Sequence, residues 1–185
     1  MIHAVKHIFW LLPCLFYIQM AAGTEAVKLS TLQQNQRIVT ALDILEDPDH
    51  RLTIESVKNS LSPDAFEAVV ETELKLTNST SSFWLRLQVH NPESTAINWY
   101  LTYGDTTCDY LKVFVVETDG RVSLAQEIDD GKPFSTRPVN YRKPAVLIET
   151  PANTTQWIYL LKRADEVGAV NPRLFRLWSY EAFNQ

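Results

Sequence analysis

From Phe83 onward the chain repeats with period two, and no other feature limits its fold as tightly. In "FWLRLQVH", Phe83, Leu85, Leu87 and Val89 share one face, while Trp84, Arg86, Gln88 and His90 share the other. Successive side chains of an extended strand point to opposite sides, so the first set is expected to face a core and the second to face solvent or a site. "INWYLTY", "YLKVFVVET", "RVSLAQEI", "AVLIET", "QWIYLLKR" and "RLFRLWSY" extend the pattern to residue 180. Asp119-Gly120 tolerates positive φ and marks a hairpin between the third and fourth of these segments. Short alternating strands at this spacing predict an all-β sandwich or barrel. The connections are long enough for a jelly-roll β-sandwich, with a single barrel of the lipid-binding type as the alternative.

Helix is expected only toward the N-terminal side. Leu42, Ile44 and Leu45 lead into an acidic turn around Pro48, after which "TIESVKN" predicts a short helix capped by the Thr53 hydroxyl. "SPDAFEAV" predicts a second helical turn, with Ser62 as cap and Pro63 at the first position. Residues 24–39 form a polar lead-in, expected to be loosely ordered or an edge strand. The first 23 residues have the three-part layout of a secretory signal peptide: weakly basic "MIHAVKH", apolar "IFWLLPCLFYIQM", then small and polar "AAGTEA". Cleavage is expected after Gly23, with Ala26 as runner-up and an uncleaved membrane anchor as the alternative.

Several function classes are excluded by what the sequence lacks. With 185 residues, 45% hydrophobic and 21% charged, the chain reads as one globular domain. A net charge of -5 and no cluster of Lys and Arg argue against nucleic acid. Loss of the leader removes Cys14, so Cys108 stands alone as a small, partly buried side chain and stability must come from the core. There is no Gly-x-Ser-x-Gly elbow, no His-Glu-x-x-His and no phosphate-binding glycine loop, and the adjacent Asp129 and Asp130 point opposite ways. The chain is therefore expected not to be an enzyme. Oxygen ligands gather in "LEDPDH", but their spacing matches no calcium loop and Pro48 explains the turn. With only His50 and His90 left beside Cys108, no metal and no cofactor are expected.

Binding residues are sought on the polar strand faces. Trp84, Arg86 and Trp99 are candidates for a concave ligand site, because an aromatic platform beside a guanidinium suits a sugar's apolar face and its hydroxyls. The alternative is that Trp84 packs beneath a loop and Arg86 pairs with a carboxylate across the sheet. In "DDGKPFSTRP" (129–138), Gly131 is expected to take positive φ, Phe134 to plug the end of the sandwich, and Arg137 either to pair with an acid or to reach a ligand. Asn91 is expected to end its strand by bonding its own downstream backbone.

The order of "LDILEDPDHRLTIESV", "FWLRLQVHN", "WYL" with "DYLKVFVVETDG", "DDGKPFSTRP", "WIYLLKR" and "LFRLWSYEAF" resembles the type 2 extracellular sensor domain of bacterial seven-transmembrane receptors with diverse intracellular signalling modules. The likeness spans residues 40–183. It implies a periplasmic jelly-roll input domain, similar to carbohydrate-binding modules, that takes a carbohydrate or related small molecule. Typical members continue into a membrane bundle and a histidine kinase or diguanylate cyclase. Gln185 is followed by neither, so a stand-alone periplasmic protein or the amino-terminal piece of a truncated receptor is expected, partnered by a membrane receptor or kinase. A protein–protein module that binds no sugar is the alternative function.

Overall fold

A computed structural model describes residues 25–32, 34–59, 65–70, 79–106, 108–163 and 170–185. The expected signal peptide, Ser62 and Pro63 lie outside these residues. The strands are β1 (Val27–Lys28), β2 (Gln36–Arg37), β3 (Asp43–Asp47), β4 (Glu67–Ala68), β5 (Ser82–Asn91), β6 (Ile97–Tyr103), β7 (Tyr110–Val116), β8 (Val122–Asp129), β9 (Ala145–Thr150), β10 (Thr154–Arg163) and β11 (Phe175–Ser179). Two short helices complete the set, α1 (Ile54–Asn59) and α2 (Tyr180–Phe183). Every segment expected to be a strand after residue 82 is one.

The strands form an all-β jelly-roll sandwich. One sheet has the order β4-β3-β5-β10-β7-β8, with β1 added parallel to the C-terminal end of β5; the other has the order β2-β11-β6-β9. From β5 onward only the β7–β8 connection stays within one sheet. The period-two rule explains the core between the sheets. Phe83, Leu85, Leu87 and Val89 of β5 face it, together with Leu111, Val113 and Val115 of β7, Ile158 and Leu160 of β10, and Trp99, Leu101, Phe175 and Leu177 from the smaller sheet. Each such buried side chain contributes about 1.5–3 kcal/mol relative to exposure. The polar lead-in belongs to this sandwich: β1 and β2 are edge strands, and Leu29, Ile38 and Val39 are buried in the core.

Local chemistry fixes the turns. Thr53 caps α1, accepting from the Ser56 amide (3.3 Å), while Ser56 Oγ accepts from the Thr53 amide (2.8 Å). Asp47, buried at the start of the Pro48 turn, accepts from the amides of Arg51 (3.1 Å) and Leu52 (3.0 Å). Asn91 accepts from the Glu93 amide and donates to the carbonyls of Thr95, Thr150 and Pro151, so it closes its own turn and also ties β5 to the end of β9. Gly120 takes φ +81° in the β7–β8 hairpin, with nothing near the position a Cβ would occupy. Gly120→Ala is therefore expected to cost about 1 kcal/mol from backbone strain alone, read as a lower midpoint in urea at unchanged slope.

Three expectations change. The helical turn expected over 62–69 is not continued at Glu67–Ala68, which pair with Asp43 and Ile44 of β3 as strand β4. The closing strand stops at Ser179, whose hydroxyl accepts from the Ala182 amide (3.2 Å) and starts α2 instead. Gly131 has no positive φ: its amide donates to Asp129 Oδ1 (3.0 Å), and this side-chain bond shapes the turn.

Candidate functional site

The outer face of the larger sheet carries a second cluster of aromatics. Register places Leu45 beside Trp84, Asp43 beside Arg86, Tyr159 beside Arg86, and Trp157 beside Gln88. All project away from the central core, as the alternation requires. Part of this face is covered. Val57 of α1 and Phe66 lie over it, and with Trp84, Val116 and Tyr159 they form a compact buried cluster. Lys58, at the end of α1, donates to the Gly120 carbonyl (2.6 Å) and ties the helix to the β7–β8 hairpin.

Arg86 stands at the border of the covered part. Its Nε donates to Asp43 Oδ2 at 2.9 Å, directly across the β3–β5 ladder. Its guanidinium lies 4.2 Å from the Phe66 ring centroid and 5.1 Å from that of Trp157. Such an arrangement of cation between aromatic faces is attractive and holds the planar group in one orientation. Burial pushes the Tyr159 phenol up, opposed by the neighbouring Arg86 charge. Beyond Arg86 the face opens: Gln88, His90, Thr155 and Trp157 are all half-buried, and His90 Nδ1 and Thr155 Oγ1 are 3.0 Å apart. The result is a shelf with one aromatic platform, one guanidinium and several neutral hydrogen-bonding groups.

The four residues singled out in the sequence do not meet in one place. Trp84 is buried and stacks on Phe114 at 5.9 Å, and its indole N–H meets no acceptor among the described residues. Trp99 lies on the other side of β5, in the central core, with its N–H donating to Thr150 Oγ1 at 3.0 Å. Arg86 alone of the three borders an open surface. Arg137 sits at the end of the sandwich, 5.2 Å from the Phe134 ring, and makes no ion pair among the described residues. Phe134 is 48% exposed, so it is no plug; the end is filled by Cys108, Tyr103 and Lys162. Gln88 was readable on the Arg86 face of β5, but Trp157 and Thr155 escaped notice because alternation assigns faces only within a strand, whereas the pairing of β10 with β5 sets Trp157 opposite Gln88 and Thr155 opposite His90.

At that end Lys162 is buried, donating to the Arg163 carbonyl (3.1 Å) and lying 5.9 Å from the Tyr103 ring centroid. Burial pushes the Cys108 thiol up to about 11, with Lys162 opposing the shift, and burial raises the Tyr103 phenol as well. A thiol held neutral and enclosed is inert. Iodoacetamide at pH 8 is expected to leave the native protein unmodified by mass spectrometry and to label Cys108 only in denaturant. The same shift sets a pH dependence. A folded-state pKa above the unfolded value gives stability that is whole below about pH 9 and is lost as pH rises toward 11.

Among the described residues no helix is long and apolar enough to cross a membrane, and no group of three or more His, Cys, Asp or Glu side chains is placed to hold a metal. No curated protein matches the chain. A family model, 7TMR-DISM extracellular 2, matches residues 40–175, from the short turn before β3 to the first residue of β11. The match takes in the central strands of both sheets and the Arg86 shelf, and the chain belongs to the 7TMR-DISM extracellular 2 family, the extracellular sensor domains of membrane receptors.

Proposed function

We propose that this domain is an exported input module of a receptor pathway and that it binds a saccharide or a related small molecule on the Arg86 shelf without catalysing a reaction. Trp157 carries the reading: a partly buried indole at the edge of the covered cluster, beside a guanidinium already fixed by Asp43, with Gln88 opposite it on β5. An indole face packs against the C–H face of a pyranose, while Arg86, Gln88 and Thr155 supply donors and acceptors to its hydroxyls. Trp84 then serves as a buried support beneath α1, and Trp99 as a core anchor. The family supports an exported location and a receptor, kinase or cyclase partner.

Titration calorimetry against a panel of mono- and oligosaccharides tests this. Trp157→Ala is expected to weaken the responding sugar about tenfold, equivalent to about 1.4 kcal/mol, while the thermal midpoint falls modestly because the indole also packs against Arg86 and Tyr159. Absence of heat from every sugar, or a sugar bound equally well by the variant, removes the proposal. A second reading rests on the 130–138 loop, where Phe134 stands 48% exposed under Arg137. An exposed aromatic paired with Arg suits a docking partner protein. Loss of receptor association in Phe134→Ala, with sugar binding absent in the parent, selects that reading.

A further inference from the structure

A cleft of about 440 Å³ opens on the other sheet, between the turn at Leu29–Thr31, the start of β6 and the start of α2. Its size is that of a small-molecule site. Leu29 and Ile97 give it apolar walls, Ser30 and Asn98 give neutral hydrogen-bonding groups, and Tyr180 and Glu181 stand on the α2 side. Among the described residues no lysine or arginine lines it. Tyr180 is 43% exposed, and stacking on Tyr100 at 5.8 Å steadies its ring. Glu181 makes no hydrogen bond or ion pair among the described residues. None of these residues belongs to the Arg86 shelf.

We propose that this cleft binds a small organic ammonium compound, with the cationic head between the Tyr180 ring and the Glu181 carboxylate. An anchored aromatic face attracts a cation through its quadrupole, and an unpaired carboxylate beside it adds direct charge attraction. A lining whose described residues include one negative and no positive side chain disfavours anions, and Ser30 and Asn98 offer hydrogen bonds to a hydroxyl on the same ligand. Because its walls come from residues 29–32 and 179–181, occupancy ties the first turn of the sandwich to α2.

Choline chloride is the probe, followed by shifts of the Ser30, Asn98 and Glu181 amide resonances in the ¹⁵N-labelled protein. Saturable shifts with a millimolar dissociation constant are expected, weakened about tenfold by Glu181→Gln and by Tyr180→Ala. Glu181 is exposed, so its substitution leaves the fold intact. The proposal is overturned if choline produces no saturable shift, if Glu181→Gln binds as well as the parent, or if glycerol gives the same shifts at the same concentrations.

Discussion

Trp99→Ala is expected to lower the unfolding free energy by about 3–5 kcal/mol, the largest loss of any single truncation considered. Trp99 is fully buried between the sheets, and its indole N–H donates to Thr150 Oγ1, which is itself buried. Truncation opens a cavity walled by both sheets and leaves the Thr150 hydroxyl without its donor. Thr150 Oγ1 lies beside the backbone that Asn91 secures, so the loss falls where β5, β6 and β9 are tied together. Since a domain of this size has only about 5–15 kcal/mol in total, the variant approaches the unfolding threshold at 37 °C. Trp99→Phe retains most of the volume and is expected to cost less than half as much. Chemical denaturation monitored by circular dichroism checks both values, and equal losses for the two variants would show that the hydrogen bond, rather than the volume, dominates.

Asp43→Ala is expected to cost about 2–3 kcal/mol, because it takes a carboxylate partner from the Arg86 charge, which is partly buried against Phe66 and Trp157. Side-chain exposures of 18% for Arg86 and 9% for Asp43 place the pair between a surface and a core ion pair, which sets the estimate below the upper range for full burial. Removing both charges together, in Asp43→Ala with Arg86→Met, is expected to recover most of the loss, since a flexible apolar side chain fills the slot between the rings. Sugar binding should not recover in the double variant. That contrast would separate a structural role of Arg86, which Met can take over, from the proposed role in recognition, which it cannot. A double variant as unstable as Asp43→Ala would assign the cost to the lost hydrogen bonds of Asp43 instead.

Strand positions were legible because burial on one face writes itself into a period of two. Phe83, Leu85, Leu87 and Val89 declare the inner face of β5 without any knowledge of its neighbours. The same rule does not tell whether the other face is open. Trp84 shares that face with Arg86, yet α1 and Phe66 cover the indole while Arg86 borders the shelf. The covering side chains Val57 and Phe66 are distant in sequence, and the placement of α1 depends on the tether of Lys58 to Gly120 and the caps supplied by Asp47. Trp157 illustrates the converse. Its face was readable, but its neighbour Gln88 follows from strand order, which alternation leaves open. Gly131 and Phe134 failed for local reasons: the Asp129 carboxylate makes the turn without positive φ, and buried Cys108, Tyr103 and Lys162 already fill the end that Phe134 was expected to close.

The claim that the outer face of the larger sheet is the ligand site is tested most directly by the indole N–H resonances of the ¹⁵N-labelled protein during a sugar titration. Trp157 should shift in a saturable way, Trp99 should stay fixed in the core, and Trp157→Ala should abolish the response of the neighbouring Gln88 side-chain amide. Saturable sugar binding that leaves Trp157 and Gln88 unmoved while shifting the 130–138 loop would contradict the account.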